Sequence, residues 1–315
     1  MHRPFTLIIA GPIMSRFDEQ INLEILKETY NIVKNMNKMN EIIISTYHGE
    51  ISSEIIGIAD QIIFNLDPGP DLLKDSPWPL GHKERRNHRN YSRLFTSSLN
   101  GIRAATNDIV IKTRIEIMPI DKLLITKWFS SLDDEIIDGK IGFFTESYSG
   151  VEFSIDGIIP KLPDIFQIAT KKTLEQLWSY SFVFWEKNKA YFSRKRIVHP
   201  ISSEQILGLV FLSIHHSFNL EKYKTRLGHN FISKELVSKL IQAENNSFIW
   251  TRYNNSGFTE NRFKGLTFIQ VPTHILSKTQ KELYIKIIVL FMKKIKHTFR
   301  RYLVGFKLQY KIYRQ

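Results

Sequence analysis

No cysteine occurs among the 315 residues. That absence excludes a disulfide framework and any thiolate metal site, and it suits a reducing compartment. Long apolar runs are missing too. The longest uninterrupted one, Ile287 to Met292, is six residues, against the roughly 20 that a membrane-spanning helix needs. The apolar stretch near the N-terminus is broken by Gly11-Pro12 and followed by Arg16 and acids, unlike a signal peptide. A soluble or peripheral protein is expected. The sequence also lacks a dinucleotide glycine fingerprint, a Walker loop and a G-x-S-x-G elbow, which counts against dehydrogenases, kinases and hydrolases. Neither His48 nor the His215-His216 pair has a spaced set of further ligands, so no histidine metal site is expected.

What is present points to a folded globule: 43% of residues are hydrophobic and 12% aromatic. The net charge of +13 is unevenly spread. Lys278 to Gln315 holds eleven Lys/Arg against the single acid Glu282, whereas residues 1–277 hold 33 basic against 30 acidic groups. The high pI therefore belongs to a tail, and a nucleic-acid groove would spread its charge along the body instead. The division expected is a domain over 1–277 and a basic helical tail over 278–315. In the tail Leu283, Ile287, Leu290, Ile295, Phe299 and Leu303 recur mostly at helical spacing, with Lys293, Lys294, Arg300 and Arg301 among them. Such a basic amphipathic helix either lies in the plane of an anionic bilayer or packs on the protein's own body.

The body reads as strands that are apolar throughout, separated by helical patterns. Thr6 to Ala10, Glu41 to Tyr47, Gln61 to Asn65 and Asp108 to Arg114 are the strands, and Asp18 to Met36 and Asn90 to Thr106 the helices between them. This pattern implies an α/β fold with a mainly parallel sheet covered on both faces. Further on, Gly139 to Ser154 is strand-like, Thr173 to Trp185 and Glu204 to His216 are helical, and Gly257 to Gln270 suggests a hairpin. In parallel sheets ligands bind at the carboxyl ends of strands where the strand order reverses. That rule singles out Gly11-Pro12, Thr46 to His48, Asp67 to Pro70 and Arg114 to Glu116.

Five groups of residues could carry chemistry there. Strand alternation through Arg114-Ile115-Glu116 would put the arginine and the glutamate on one side. There the carboxylate could hold a divalent cation and the guanidinium could neutralise a phosphate, unless the two form a surface ion pair. His82 to Arg93 is a basic stretch opening a helix, where exposed N–H groups favour anions; Arg93 lies inside that helix beside its apolar positions. Asp67-Pro68-Gly69-Pro70 is a rigid turn. Asp164, an acid among apolar residues, is a plausible general base or a helix N-cap. Ser202-Ser203-Glu204-Gln205 carries ordinary helix-start chemistry, with Glu204 as a second acid.

The order of these pieces is more specific than any one of them. Gly11-Pro12-Ile13, the strand Glu41 to Tyr47, Asp67-Pro68-Gly69, Asn90-Tyr91-Ser92-Arg93 with Gly101, and Ile111-Lys112-Thr113-Arg114-Ile115-Glu116 follow one another. Pro163-Asp164-Ile165-Phe166, Leu177-Trp178 and Ser203-Glu204-Gln205-Ile206 come after them. Over about residues 5–212 this resembles the WavE lipopolysaccharide-synthesis family, read as glycosyltransferases of GT-A type. The resemblance implies a GT-A-like (Rossmann-like) sheet and a nucleotide-sugar donor. It also implies an acceptor on a growing lipopolysaccharide- or capsule-type glycan, and work at the cytoplasmic face of a bacterial inner membrane. Gly11, Pro12, Thr46, Asp67, Arg93, Arg114 and Glu116 would then hold the donor, with Asp164 or Glu204 as the base of an inverting transfer. At one place the chain departs from the pattern, carrying Arg114-Ile115-Glu116 where Arg-Ser-Asp is expected. Two routes to charge neutralisation follow: Mg²⁺ or Mn²⁺ at Glu116, or metal-independent neutralisation by basic side chains. The other readings are a nucleic-acid- or polyanion-binding protein using residues 82–93 and the tail, and a non-catalytic GT-A-like scaffold in a glycan-assembly complex. With the glycosyltransferase reading, no nucleic-acid partner is expected.

Overall fold

The computed structural model describes residues 3–12, 19–48, 53–73, 87–115, 117–119, 121–132, 134–144, 151–154, 157–160, 162–194, 203–223, 234–251 and 258–260. The first half runs β1 (Phe5–Ala10), α1 (Glu19–Met36), β2 (Glu41–Tyr47), a 3₁₀ turn (Ser53–Gly57), β3 (Gln61–Asn65), β4 (Asp71–Leu73), β5 (Asn87–Arg89), α2 (Tyr91–Ala104), β6 (Ile109–Thr113), β7 (Ile117–Pro119) and α3 (Lys122–Leu132). The second half runs β8 (Ile141–Phe144), β9 (Val151–Ser154), β10 (Gly157–Pro160), β11 (Gln167–Thr170), α4 (Lys171–Arg194), α5 (Ser203–His215), α6 (Leu220–Tyr223), α7 (Lys234–Asn246), β12 (Phe248–Thr251) and β13 (Phe258–Glu260).

Seven strands form one sheet in the order β12-β8-β11-β6-β1-β2-β3. Its neighbours pair in parallel, except that β11 runs antiparallel to both β6 and β8. The inner strands are mostly apolar because both faces are covered. Ile8, Ile43 and Val110 meet Phe95, Leu99, Ile102 and Trp178 of α2 and α4 on one face. Leu7, Ile42 and Ile111 meet Val33, Trp128 and Phe129 of α1 and α3 on the other. This is the mainly parallel, helix-flanked α/β sheet that the sequence implied.

α2 lies unusually close to the sheet. Ser45 Oγ on β2 donates to Ser97 O at 2.7 Å, and Asn100 Nδ2 donates to Asn65 Oδ1 at 2.7 Å. The N-terminus of α2 is held from outside by Asp71, whose two carboxylate oxygens accept from Ser92 N at 2.8 Å and Ser92 Oγ at 2.5 Å. Trp185 Nε1 of α4 donates to the same hydroxyl at 3.0 Å. The capping is thus supplied by a distant carboxylate, since Asn90 makes no side-chain cap bond.

Two expectations change at the level of elements. β6 ends at Thr113, and Ile117 N donates to Arg114 O at 3.0 Å, closing a turn. Strand alternation therefore stops at Thr113, and Glu116 lies outside the described residues. Asn87–Arg89 is a strand paired with β4, so α2 starts only at Tyr91 and the basic stretch does not extend it; residues 82–86 lie outside the description. Phe258–Glu260, the described part of the expected 257–270 hairpin, pairs with β7. The tail over 278–315 is also outside the described residues.

Gly101 shows how tight the α2 contact is: a Cβ there would meet Ile8 Cγ2 at 2.5 Å and Ser45 Cβ at 3.2 Å. Gly101→Ala should destabilise the fold by about 1–3 kcal/mol through overpacking, despite alanine's better helix propensity. Urea unfolding checks it: a variant at least as stable as wild type would show that α2 moves away freely.

Candidate functional site

Along the chain β1 leads outward to β2 and β3, and the next sheet strand, β6, returns to the other side of β1. The strand order therefore reverses between β1 and β6, the place where a parallel sheet opens a crevice at its carboxyl edge. Gly11 leaves β1 there with φ +105°, a left-handed conformation suited to glycine, and its N–H donates to Ser45 O at 3.0 Å. Pro12 follows, half-buried. Arg114 leaves β6 beside it.

The reversed direction of β11 decides what faces Arg114. An antiparallel strand begins where its parallel neighbours end, so the segment before β11 arrives at the carboxyl edge. That segment carries Asp164, only 4% exposed. Its Oδ2 lies 4.0 Å from Arg114 Nη1 and accepts from Ser203 Oγ at 3.2 Å. Ser203 opens α5, and the same hydroxyl lies 3.4 Å from Glu204 Oε2. A serine hydroxyl has one proton, so the two carboxylates share one donor. Asp164 does not cap a helix, because β11 follows it at Gln167.

Beneath this cluster is a residue the site reading missed. Lys112 on β6 is fully buried, and its Nζ donates to the backbone O of Asp164. Burial pulls its pKa down to about 7; the nearby Asp164 and Glu204 carboxylates act against that shift, and Arg114 adds to it. The signal was available in the sequence: a lysine inside an apolar strand of a sheet covered on both faces has no solvent to reach.

A second polar group lies at the ends of β2 and β3. Arg93 Nε donates to Asp67 Oδ1 at 2.6 Å, and its Nη2 donates to Asp67 Oδ2. The fork holds the Asp67 carboxyl below its ordinary pKa. Arg93 Nη1 also donates to Asn90 Oδ1 at 3.2 Å, and the Tyr47 hydroxyl donates to Arg93 O. Gly69 N donates to Asp67 Oδ1 at 2.9 Å, which makes Asp67-Pro68-Gly69 the rigid turn expected. Thr46 is enclosed within β2, and its buried Oγ1 has no hydrogen-bond partner among the described residues.

The structure thus brings Arg114, Asp164 and Glu204 together, and separately pairs Asp67 with Arg93. Among the described residues no three His, Asp or Glu side chains converge as a metal ion would require. Of the same residues, no helix is long and apolar enough to cross a membrane.

Lys112 gives the site a pH-dependent stability with a definite sign. In the unfolded chain its amine titrates near 10.5, and in the folded protein at about 7. Between those values the unfolded state binds more protons, so stability from this site rises with pH. The stability of wild type minus that of Lys112→Met should therefore increase from pH 6.5 to pH 9 in urea unfolding. A flat difference would mean that Lys112 titrates like an exposed lysine.

Comparison with known proteins adds the following. No curated protein matches the chain. Solved structures similar to it include a nucleotidyl transferase from Methanothermobacter thermautotroptrophicus, 15% identical, covering 70% of this chain and 99% of that one, with TM-score 0.34. Another is a 4-diphosphocytidyl-2C-methyl-D-erythritol synthase from Anaerococcus prevotii, 12% identical, covering 80% and 91%, with TM-score 0.33. A Drosophila β-1,4-galactosyltransferase 7 mutant in complex with manganese, UDP-Gal and xylobiose is 10% identical, covering 75% and 79%, with TM-score 0.28. Scores this low decide neither fold nor chemistry. The family comparison is of another order, because one family model matches continuously over residues 5–242, from the first strand through most of α7. With both polar groups inside that span, the chain belongs to the WavE lipopolysaccharide synthesis family.

Proposed function

We propose that this protein moves a sugar from a nucleotide-sugar donor to a growing lipopolysaccharide- or capsule-type glycan at the cytoplasmic face of a bacterial inner membrane. The observation that carries the reading is the Arg114–Asp164–Ser203–Glu204 cluster at the switch point of the sheet, in a chain of a lipopolysaccharide-synthesis family. The donor lies over the carboxyl ends of β1, β2, β3 and β6, beside Gly11, Pro12, Thr46 and Asp67. Arg93 is paired with Asp67, so in this reading it fixes that carboxylate and Arg114 is the cation that meets the diphosphate. Departure of a nucleotide leaving group needs such neutralisation.

Inverting transfer also needs a carboxylate to take the acceptor hydroxyl's proton. Asp164 takes that role in this reading, with Ser203 and Arg114 beside its carboxylate. Glu204 is the second candidate; it is more exposed than Asp164 and shares the Ser203 hydroxyl with it. Among the described residues no three His, Asp or Glu side chains converge; in the metal-dependent alternative Glu116 would hold a Mg²⁺ or Mn²⁺ against the diphosphate.

A thermal-shift screen of UDP-, GDP- and CMP-sugars, with and without Mg²⁺ or Mn²⁺, tests the donor class. One nucleotide should raise Tm without added metal, and Arg114→Gln should remove most of that shift. Stabilisation that appears only with the cation assigns the neutralisation to a metal instead, and stabilisation by none removes the glycosyltransferase reading. With the donor in hand, Asp164→Asn should lower kcat by about 10²–10⁴-fold with little change in donor KM. A wild-type rate in that variant, with loss of transfer in Glu204→Gln, makes Glu204 the base.

The basic tail completes the proposal as a peripheral anchor. Each Lys or Arg near an anionic surface contributes about 1 kcal/mol, so half of those in residues 278–315 suffice to hold the protein there. Deleting 278–315 should release it from anionic liposomes in a sedimentation assay, and unchanged binding would assign the tail to the protein's own surface.

A further inference from the structure

Lys112 and Gln167 face one another across β6 and β11 as directly opposed residues, and neither is exposed at all. Both project towards α4. Trp178 Nε1 donates to Gln167 Oε1 at 2.8 Å, and Lys112 Nζ stands 4.7 Å from the centre of the Trp178 ring. With its oxygen held by the indole, Gln167 turns its amide donor to Pro163 O at 2.7 Å. Lys112 Nζ donates to the next carbonyl, Asp164 O. One residue earlier, Leu162 N donates to Glu204 O at 2.9 Å.

These bonds act on a single point. The Pro163 carbonyl lies in the peptide plane before the Asp164 Cα, and the Asp164 carbonyl in the plane after it. Holding both planes fixes both soft backbone angles of Asp164. Only the two side-chain torsions remain, and Ser203 Oγ and Arg114 address the carboxylate they aim. Stability does not explain the arrangement, because a buried cation is disfavoured against an apolar side chain of similar volume.

We propose that Lys112 and Gln167 form a positioning pair that sets the backbone of Asp164, and through it the direction of the carboxylate. The proposal rests on the reading of Asp164 as the base. The pair touches no substrate; it holds the reacting group where an acceptor hydroxyl meets it.

The test uses the full chain with Lys112→Met, which keeps the volume and removes the donor. Gln167→Glu serves beside it, because the isosteric carboxylate still accepts from Trp178 and cannot donate to Pro163. Hydrogen exchange at the amides of residues 162 and 164–168 and steady-state kinetics with the nucleotide sugar found in the screen are measured on both. Expected are faster exchange confined to that segment, a fall in kcat of about 10–100-fold, and a donor KM within about twofold of wild type, since small misplacement of a reacting group acts on the chemical step. Unchanged exchange in both variants overturns the proposal whatever the rates. A raised KM with kcat preserved overturns it too, and moves Lys112 to donor binding. If wild type turns over no nucleotide sugar, the functional reading fails, while the exchange measurement still decides the positioning claim. Should one variant not fold, the other carries the same comparison.

Discussion

An ammonium group removed from water must have an acceptor close by, and here that acceptor comes from 52 residues further along the chain. Much of the site follows from that requirement. Lys112 sits in the middle of the sheet, so its partner has to arrive at the same depth and on the same face. A parallel neighbour would bring its carboxyl end to that edge. The one reversed strand, β11, brings its beginning instead, and with it the carbonyl, the carboxylate of Asp164 and the contact with α5. Sheet direction, a buried charge and the placement of an acid are here a single constraint.

The two polar groups at the carboxyl edge differ in what they are worth. Asp67 and Arg93 form a two-pronged pair, but their side chains are 46% and 32% exposed. Screening by water leaves an exposed pair about 0–1 kcal/mol. Its effect is geometric: it ties the turn after β3 to α2, whose first turn Asp71 already holds. Arg114 and Asp164 are 18% and 5% exposed. Losing one partner of so enclosed a pair therefore costs more than losing one of the open pair. The enclosed group is therefore the one whose geometry the fold protects, and the open group is the more adaptable.

How far the sequence could be read depended on which forces set each feature. β2 and β3 are found at the residues their apolar runs mark, Glu41–Tyr47 and Gln61–Asn65; burial on both faces leaves a continuous pattern in β2, and the more open edge strand β3 keeps its apolar run from Ile62 to Phe64. α1 and α2 agree to within a residue or two, since a periodic apolar face is equally plain. α4 runs on to Arg194, past the expected Trp185, where the aromatic signal thins but the helix continues. The alternation expected through Arg114-Ile115-Glu116 fails because β6 stops at Thr113 and a backbone hydrogen bond closes a turn onto Arg114, of which side-chain type carries no trace. Asp164 was recognised as an unusual acid. Its neighbours Arg114 and Ser203 could not be, since they meet only through the reversed strand. Lys112 was legible and overlooked: its surroundings in the sequence are as apolar as its surroundings in space.

The distance along the chain between Lys112 and its acceptor also bears on how the protein is made. A ribosome delivers β1, β2, β3 and β6 well before β11 and α5 exist. Until then the face above β6 carries an amine without the carbonyl that receives it in the finished fold. Sealing that face early would bury the amine unpaired, at a cost that the arrival of the Asp164 segment removes.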